Sequence, residues 1–157
     1  MHRSALAFLL LLITIGCATS ASNPMSQESL AIYIEEIARS AKISPNVVEF
    51  EYRGVSIACV SDTTHDRMRL IAPITNRDAV DAEHLEVMLI ANFHTALDAR
   101  YALSNGIIYA AFLHPMSTLT HEQLESAIRQ VAALARNFGS SYSSDELIFG
   151  VESGEET

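Results

Sequence analysis

The segment ARYALSNGIIYAAFL, residues 99–113, places two strand-forming runs on either side of the pair Asn105-Gly106. Asn-Gly is the preferred pair for a two-residue hairpin turn, because both turn positions need a positive φ angle. The segment therefore predicts a tight antiparallel hairpin. An isolated hairpin is only marginally stable in water, so further strands or helices must pack against this one.

A second hairpin is predicted upstream by VVEFEYRGVSIACV, residues 47–60, in which apolar and polar residues alternate. A turn at Arg53-Gly54 pairs Phe50 with Ile57 and leaves one face of both strands apolar. The alternation continues in RMRLIAPIT, which predicts a third strand beside this hairpin.

Three helices are predicted by apolar residues that recur every three or four positions. The first spans residues 26–42 and ends before a Ser-Pro pair, and the second spans residues 81–97. The third begins after a capping-box pattern formed by Thr120 and Gln123. The order α-β-β-β-α-β-β-α predicts an α+β fold, an antiparallel five-stranded sheet with helices packed on it.

The second predicted helix is apolar on two sides, and a helix of this kind must be covered on two sides. Its two apolar stripes comprise Leu85, Met88, Leu89, Phe93 and Ala96 on one side, and Val87, Ile90, His94 and Leu97 on the other. The sheet of so small a domain covers one side only. We therefore expect the stripe of Val87, Ile90, His94 and Leu97 to form a subunit or partner interface, most simply in a homodimer.

Residues 1–21 have the organisation of a secretory signal peptide, with a basic start, an apolar run and small residues near Ala21. The apolar run is shorter than the roughly 20 residues that span a bilayer, so we expect cleavage and a mature chain that starts near Ser22. The alternative is lipidation of Cys17, although Thr14 stands where a lipobox normally has an aliphatic residue. Either route predicts a periplasmic or secreted protein, or a lipid-anchored one.

The charge of the chain excludes some partners. It has 10 basic and 19 acidic residues, and loss of Arg3 with the signal peptide leaves nine against 19, a net charge of about −10. Such a surface repels nucleic acid and anionic membranes and favours a basic partner. We expect residues 22–150 to form one domain and residues 151–157 to form an acidic flexible tail.

The polar segment SDTTHDR, residues 61–67, is the strongest candidate for chemistry. Its Asp and Ser residues are typical of a hairpin turn, where they bond their own backbone. The alternative is a metal-binding or metal-dependent hydrolase site formed by Asp62, His65 and Asp66. His94 and Asp98, four residues apart, are interpreted as a histidine capped by a carboxylate.

No catalytic or cofactor-binding motif is apparent: G-x-S-x-G, a glycine-rich phosphate loop and Cys-x-x-Cys are all missing from the sequence. Cys59 falls on an apolar strand face and is predicted to be an inert, buried thiol. The sequence therefore predicts a non-enzymatic protein without a cofactor. It binds a protein or peptide partner, or else serves as an envelope accessory that binds nothing small.

Residues 89–135, LIANFHTALDARYALSNGIIYAAFLHPMSTLTHEQLESAIRQVAALA, together with the element order, resemble the class I type III secretion chaperones and, more closely, the YbjN group of sensory-transduction regulators. The resemblance implies a small homodimeric binding domain. It implies that the second helix builds the dimer interface and that client segments lie along apolar grooves. Secretion chaperones act in the cytosol, whereas this chain carries an export signal.

Overall fold

The computed structural model describes residues 24–144, so the signal peptide, Cys17 and the tail at residues 151–157 lie outside the described residues. Within that range the chain forms three α-helices and six β-strands. The elements are α1 (Gln27–Ile37), β1 (Arg39–Ser44), β2 (Val47–Tyr52), β3 (Val55–Asp62), β4 (Arg67–Asn76), α2 (Ala82–His94), β5 (Arg100–Ser104), β6 (Ile107–His114) and α3 (His121–Arg136). Single-turn 3₁₀ helices follow β4 and β6.

The strands form one antiparallel sheet in the order β1-β2-β3-β4-β6-β5. The first four strands follow one another as a meander, and β6 rather than β5 pairs with β4. Helix α3 packs on the middle strands, α1 packs on β1 and β2, and α2 packs on β5. The core lies between these helices and one face of the sheet, so the fold is the predicted α+β class.

Both predicted hairpins are confirmed. Phe50 pairs with Ile57 across the first turn, and Gly54 there has a φ angle of 80°. Asn105 and Gly106 have φ angles of 47° and 75°, the two positive values that this turn requires. The turn residues thus set the register of both strand pairs.

The predicted end of the first helix and the predicted count of five strands are wrong. Helix α1 ends at Ile37, and Arg39–Ser44 forms a sixth strand, β1, paired with β2. Five of the six residues of β1 are exposed, and its two apolar residues, Ala41 and Ile43, are too few to distinguish the segment from the end of a helix. Only its pairing with β2, a non-local contact, makes this segment a strand.

The predicted start of the third helix is confirmed. The Thr120 hydroxyl accepts a hydrogen bond from the Gln123 backbone N–H, and the Gln123 side chain accepts one from the Thr120 N–H. These bonds satisfy two backbone donors that would otherwise be unpaired at the helix start. The apolar face of α3 is buried against the sheet, through residues that include Leu124, Ile128 and Val131.

The chain after α3 returns to the end of α2. The Ser144 N–H donates to the Thr95 carbonyl oxygen at 3.1 Å, and Ser144 Oγ accepts from the Leu97 N–H at 2.9 Å. Thr95 Oγ1 donates to the Tyr142 carbonyl oxygen at 2.9 Å. The described chain therefore ends fixed beside the last turn of α2. Within residues 24–144, no helix combines the length and apolar character needed to cross a bilayer.

Candidate protein-binding surfaces

The two edges of the sheet differ in how they are covered. At β5, the Asn92 side chain of α2 accepts from the Tyr101 N–H at 2.7 Å and donates to the Tyr101 carbonyl oxygen at 3.1 Å. Asn92 therefore occupies the edge-facing backbone groups of Tyr101, which a further strand would need. Covering an edge with a helix is a known way to prevent strand pairing.

The β1 edge is open. Within the described residues 24–144, the backbone of Arg39–Ser44 hydrogen-bonds to β2 and to no other element. A groove of about 460 Å³ lies beside it, between α1 and the β1–β2 turn. We call it the α1–β1 groove, and its apolar lining includes Ala31, Ile32, Ile43, Pro45 and Val47. Ile32 and Ile43 are 48% and 51% exposed, so the groove offers apolar surface next to an unpaired strand.

The rim of the α1–β1 groove is acidic and one end is closed by hydrogen bonds. Glu28 and Glu35 line it, and neither forms an ion pair within the part of the chain that the structure describes. Gln27 donates to the buried Ser61 hydroxyl at 2.9 Å, and the Ser61 N–H donates to the Asn46 carbonyl oxygen at 2.9 Å. The first bond holds the start of α1 on β3, and the second holds β3 on the β1–β2 turn.

Helix α2 presents an exposed apolar surface that we call the α2 face: Leu89, Ile90 and Phe93, at 71%, 53% and 76% exposure. The helix is shorter than predicted, because it ends at His94. Met88 and Ala91 are buried, so α2 is covered on one side by its own chain. A surface of three large exposed apolar side chains on one helix is typical of a site that contacts another element.

Of the four residues predicted for an interface on α2, two are exposed and two are half-buried. Ile90 and His94 are exposed, and His94 makes an edge contact with the Phe93 ring. Val87 is half-buried and packs against the core, and Leu97 is half-buried beyond the helix end. The exposed neighbours of Ile90 are instead Leu89 and Phe93, which the sequence pattern assigned to the other stripe.

The turn interpretation of SDTTHDR is confirmed. The Asp62 carboxylate accepts from the N–H groups of Thr64 and His65, and lies 2.7 Å from the His65 ring nitrogen Nδ1. The hydrogen bond from the His65 ring, and then that from its N–H, lower the pKa of Asp62 below its usual value.

Asp66 turns to a different partner, the loop after β6. Its carboxylate accepts from the Ser117 N–H at 2.7 Å and from the Ser117 hydroxyl at 2.6 Å. The Ser117 hydroxyl is the main cause of the lowered pKa of Asp66. Within residues 24–144, no group of three or more His, Cys, Asp or Glu side chains is placed to hold a metal ion. Nothing in the described residues favours the metal-site alternative.

Two further predictions about single residues have opposite outcomes. Cys59 is buried as predicted, and burial raises the pKa of its thiol to about 12. A thiol with that pKa is neutral at physiological pH and therefore inert. The predicted pairing of His94 with Asp98 is wrong, because α2 ends at His94 and no hydrogen bond or ion pair joins the two side chains in the described part of the chain.

No pattern in the sequence points to the two polar residues that organise the α2–β5 corner. Asn92 lies within a run of apolar residues, and Gln130 is one of several polar residues of the amphipathic α3. Gln130 is buried, and its side-chain oxygen accepts from the N–H groups of Asp98 and Ala99. The hydrogen-bonded residues are 9 and about 31 positions apart in sequence, so only their closeness in the folded chain reveals what the Asn92 and Gln130 side chains do.

Structural comparison finds the same fold in chaperone complexes. A chain of the HopA1–SchA chaperone–effector complex superimposes with a TM-score of 0.55 at 12% identity, covering 69% of this chain and 88% of that one. A chain of the ExsC–ExsE complex gives 0.53 at 16% identity, covering 68% and 84%. A chain of the Yersinia pestis complex between the type III secretion chaperone SycH and a fragment of YscM2 gives 0.51 at 12% identity, covering 69% and 98%. No family profile and no curated protein sequence matches the chain.

The chain therefore has the fold of the type III secretion chaperones, as the resemblance in its sequence predicted. At these identities the likeness concerns the fold alone. The narrower resemblance to the YbjN group stays a prediction.

Proposed function

We propose that the mature chain is an exported, non-enzymatic protein-binding module of the bacterial envelope, which holds an extended partner segment along β1 and in the α1–β1 groove. The observation that carries this proposal is the contrast between the two sheet edges. Asn92 occupies the edge-facing backbone groups of Tyr101 on β5, whereas β1 is open beside exposed apolar side chains. The similar structures include complexes of a chaperone with an effector, so the fold accommodates a protein partner.

The geometry of β1 defines the chemistry of the partner segment. An added strand forms main-chain hydrogen bonds with β1, and its alternate side chains point to the same face as the groove. Ile32 and Ile43 then take up apolar side chains. The carboxylates of Glu28 and Glu35 attract Lys or Arg from the partner, in keeping with the net charge of about −10 that the chain has without residues 1–21. The partner is therefore an extended segment with apolar residues at alternate positions and basic residues beside them.

Site-specific photo-crosslinking tests this proposal in the native host cells. A photo-crosslinking amino acid replaces Ile43 on β1 in one strain and Leu103 on β5 in a matched control, since the two side chains are similarly exposed, at 51% and 56%. We expect a protein adduct from position 43 that is missing from position 103. Equal adducts at both positions, or none at position 43, would refute binding along β1.

The partner identified in that way permits a quantitative test. Burying the exposed half of Ile43 contributes on the order of 1 kcal/mol, and a buried unpaired carboxylate adds a larger penalty. We expect Ile43→Asp to weaken partner binding by at least about tenfold, which corresponds to about 1.4 kcal/mol. Leu103→Asp should leave the affinity unchanged, and isothermal titration calorimetry on the three chains measures the difference.

The proposal includes a homodimer formed through α2, with Ile90 and His94 at the contact and Val87 and Leu97 at its margin. We expect Ile90→Asp to dissociate the dimer, because a charge placed in that contact is buried without a partner. Ile32→Asp is the matched control, since it puts the same charge on α1 at comparable exposure. Analytical ultracentrifugation at about micromolar concentration decides: a wild-type chain that stays monomeric contradicts the dimer.

Export is proposed from residues 1–21, with cleavage near Ala21 and lipidation of Cys17 as the alternative route. The intact mass of protein purified from the envelope fraction distinguishes the two. A chain that begins near Ser22 supports cleavage, whereas a mass that includes Cys17 and acyl chains supports a lipoprotein. Retention of Met1 in protein from the cytosol would contradict both.

A further inference from the structure

One face of the sheet turns away from the three helices and carries an apolar patch. Successive residues of a strand point to opposite faces, so Cys59 and Leu70 face the core and their neighbours Val60 and Arg69 point outward. Strand pairing aligns an outward row, because Arg69 of β4 lies between Val60 of β3 and Leu113 of β6. Leu113 is 54% exposed and Val60 is half-buried, so this row offers apolar surface over three neighbouring strands.

An open depression of about 410 Å³ lies along this row. Ile71 joins Val60 and Leu113 in its apolar lining, and Arg67 and Arg69 supply its cations. We call these five residues the outer-face patch. A pocket for a small molecule surrounds most of its ligand. The outer-face patch spans three strands of a sheet and is open to solvent, so its shape suits a protein surface better than a small molecule.

The two cations of the outer-face patch form no ion pair within the described residues 24–144. The Arg69 guanidinium makes no hydrogen bond there either, and the acceptor of Arg67 is neutral, the backbone carbonyl oxygen of Asp66 at 2.8 Å. Asp62 also lines the depression, but its carboxylate is engaged by two backbone N–H groups and the His65 ring of its own turn. The lining thus has two cations against one anion when His65 is neutral, in a chain of net charge −9.

We propose that the outer-face patch docks a protein segment in which Asp or Glu is flanked by large apolar residues. The carboxylate of the segment forms a bidentate pair with the Arg69 guanidinium, and its apolar neighbours pack on Val60, Ile71 and Leu113. This segment differs from the one proposed for the α1–β1 groove. The groove lies on the helix side of the sheet and has an acidic rim, whereas the outer-face patch lies on the opposite side and is basic.

Methyl NMR titration of the isotope-labelled protein tests the docking. The probe is a short capped peptide in which Leu and Glu alternate, and the control peptide has Gln in place of each Glu. We expect the methyl signals of Val60, Ile71 and Leu113 to shift with the Glu peptide, and those of Ile32 and Ile43 in the α1–β1 groove to stay unchanged. The Gln peptide should bind at least about fivefold more weakly, because a hydrogen bond to a charged group is roughly twice as strong as one between neutral groups.

Substitution of Arg69 tests which cation holds the carboxylate. Arg69→Gln keeps a hydrogen-bond donor and removes the charge, so it should lower the affinity for the Glu peptide at least about fivefold and leave the affinity for the Gln peptide unchanged. Arg53→Gln is the matched control, since it removes an exposed arginine at the β2–β3 turn, outside the outer-face patch. This control should bind both peptides as wild type does.

Four results would overturn the proposal: equal affinity for the Glu and Gln peptides, equal losses in Arg69→Gln and Arg53→Gln, shifts confined to Ile32 and Ile43, or octanoate that binds as tightly as the Glu peptide. The last would assign the outer-face patch to a small carboxylate. Shifts of the patch methyl groups that depend on protein concentration without any peptide would assign it to a second copy, and would also overturn docking of a separate partner. Crosslinking at Ile43 tests the α1–β1 groove independently of all these results.

Discussion

Gln130 fixes the link between α2 and β5 onto α3, and its replacement is a sharp test of the fold. Its side-chain oxygen accepts from the Asp98 N–H at 2.9 Å and from the Ala99 N–H at 3.1 Å, and its Nε2 donates to Ser126 Oγ at 3.2 Å. The side chain is buried, with 2% exposure. The substitution Gln130→Met keeps the length of the side chain and removes the acceptor.

The expected loss follows from the two N–H groups that lose their acceptor. A buried donor without a partner costs about 1–3 kcal/mol. Ala99 is fully buried and Asp98 is exposed, so we assign about 2 kcal/mol to the first N–H and about 1 kcal/mol to the second. The free energy of unfolding should fall by about 3 kcal/mol. For a domain of about 120 residues the melting temperature then falls by about 12 °C.

Urea and thermal unfolding followed by circular dichroism measure this loss. Glu122→Met is the matched control, because it places the same side chain on an exposed position of α3 and should change stability by less than about 0.5 kcal/mol. If Gln130→Met is as stable as this control, the hydrogen bonds of Gln130 do not hold the corner and the reasoning is refuted.

Three further predictions concern single side chains. Burial raises the pKa of the Cys59 thiol to about 12, so Cys59 should resist alkylation at about pH 8 in the folded chain and react in denaturant. Mass spectrometry measures both alkylation rates, and equal rates would contradict the burial of Cys59. Asp66→Asn should lower the free energy of unfolding at neutral pH. The Ser117 hydroxyl lowers the pKa of Asp66 in the folded state, so the ionised carboxylate stabilises the fold above its ordinary pKa of about 3.9 and loses that effect as the pH falls further. The difference in stability from wild type should therefore close in acid unfolding curves, and a constant difference would be evidence against the hydrogen bond between Asp66 and Ser117. Asn92→Leu should cost about 1–3 kcal/mol and uncover the β5 backbone at Tyr101, seen as faster amide hydrogen exchange there; unchanged exchange would show that Asn92 does not protect the edge.

The proposed binding function depends on the unpaired edge strand β1. In this proposal an extended partner segment adds to β1, and the carboxylates of Glu28 and Glu35 at the rim of the α1–β1 groove favour basic residues in that segment. Export, which we propose from residues 1–21, would carry the chain to the envelope. Crosslinking at Ile43 tests the binding mode, and the compartment of the partner that it identifies tests the proposed location of this chain.

The candidate surfaces were only partly predictable. The sequence pattern identified α2 as apolar on two sides and placed Ile90 and His94 on a contact surface, and both are exposed. It did not separate Leu89 and Phe93 from Met88, because an apolar helix gives no polar boundary from which to find its buried side. The α1–β1 groove was missed altogether, since its strand was assigned to the first helix.

The sequence by itself determined the features that depend on a few neighbouring residues: the turns at Gly54 and at Asn105-Gly106, the capping box at Thr120, and the alternation that buries one face of β2 to β4. Such features are local, because positive φ angles and unpaired helix N–H groups select particular residues at fixed spacings. The tertiary structure alone decided which segment became β1, which edge Asn92 closed and which side of α2 stayed exposed. These outcomes depend on pairing and burial between distant residues, and no short-range spacing encodes them.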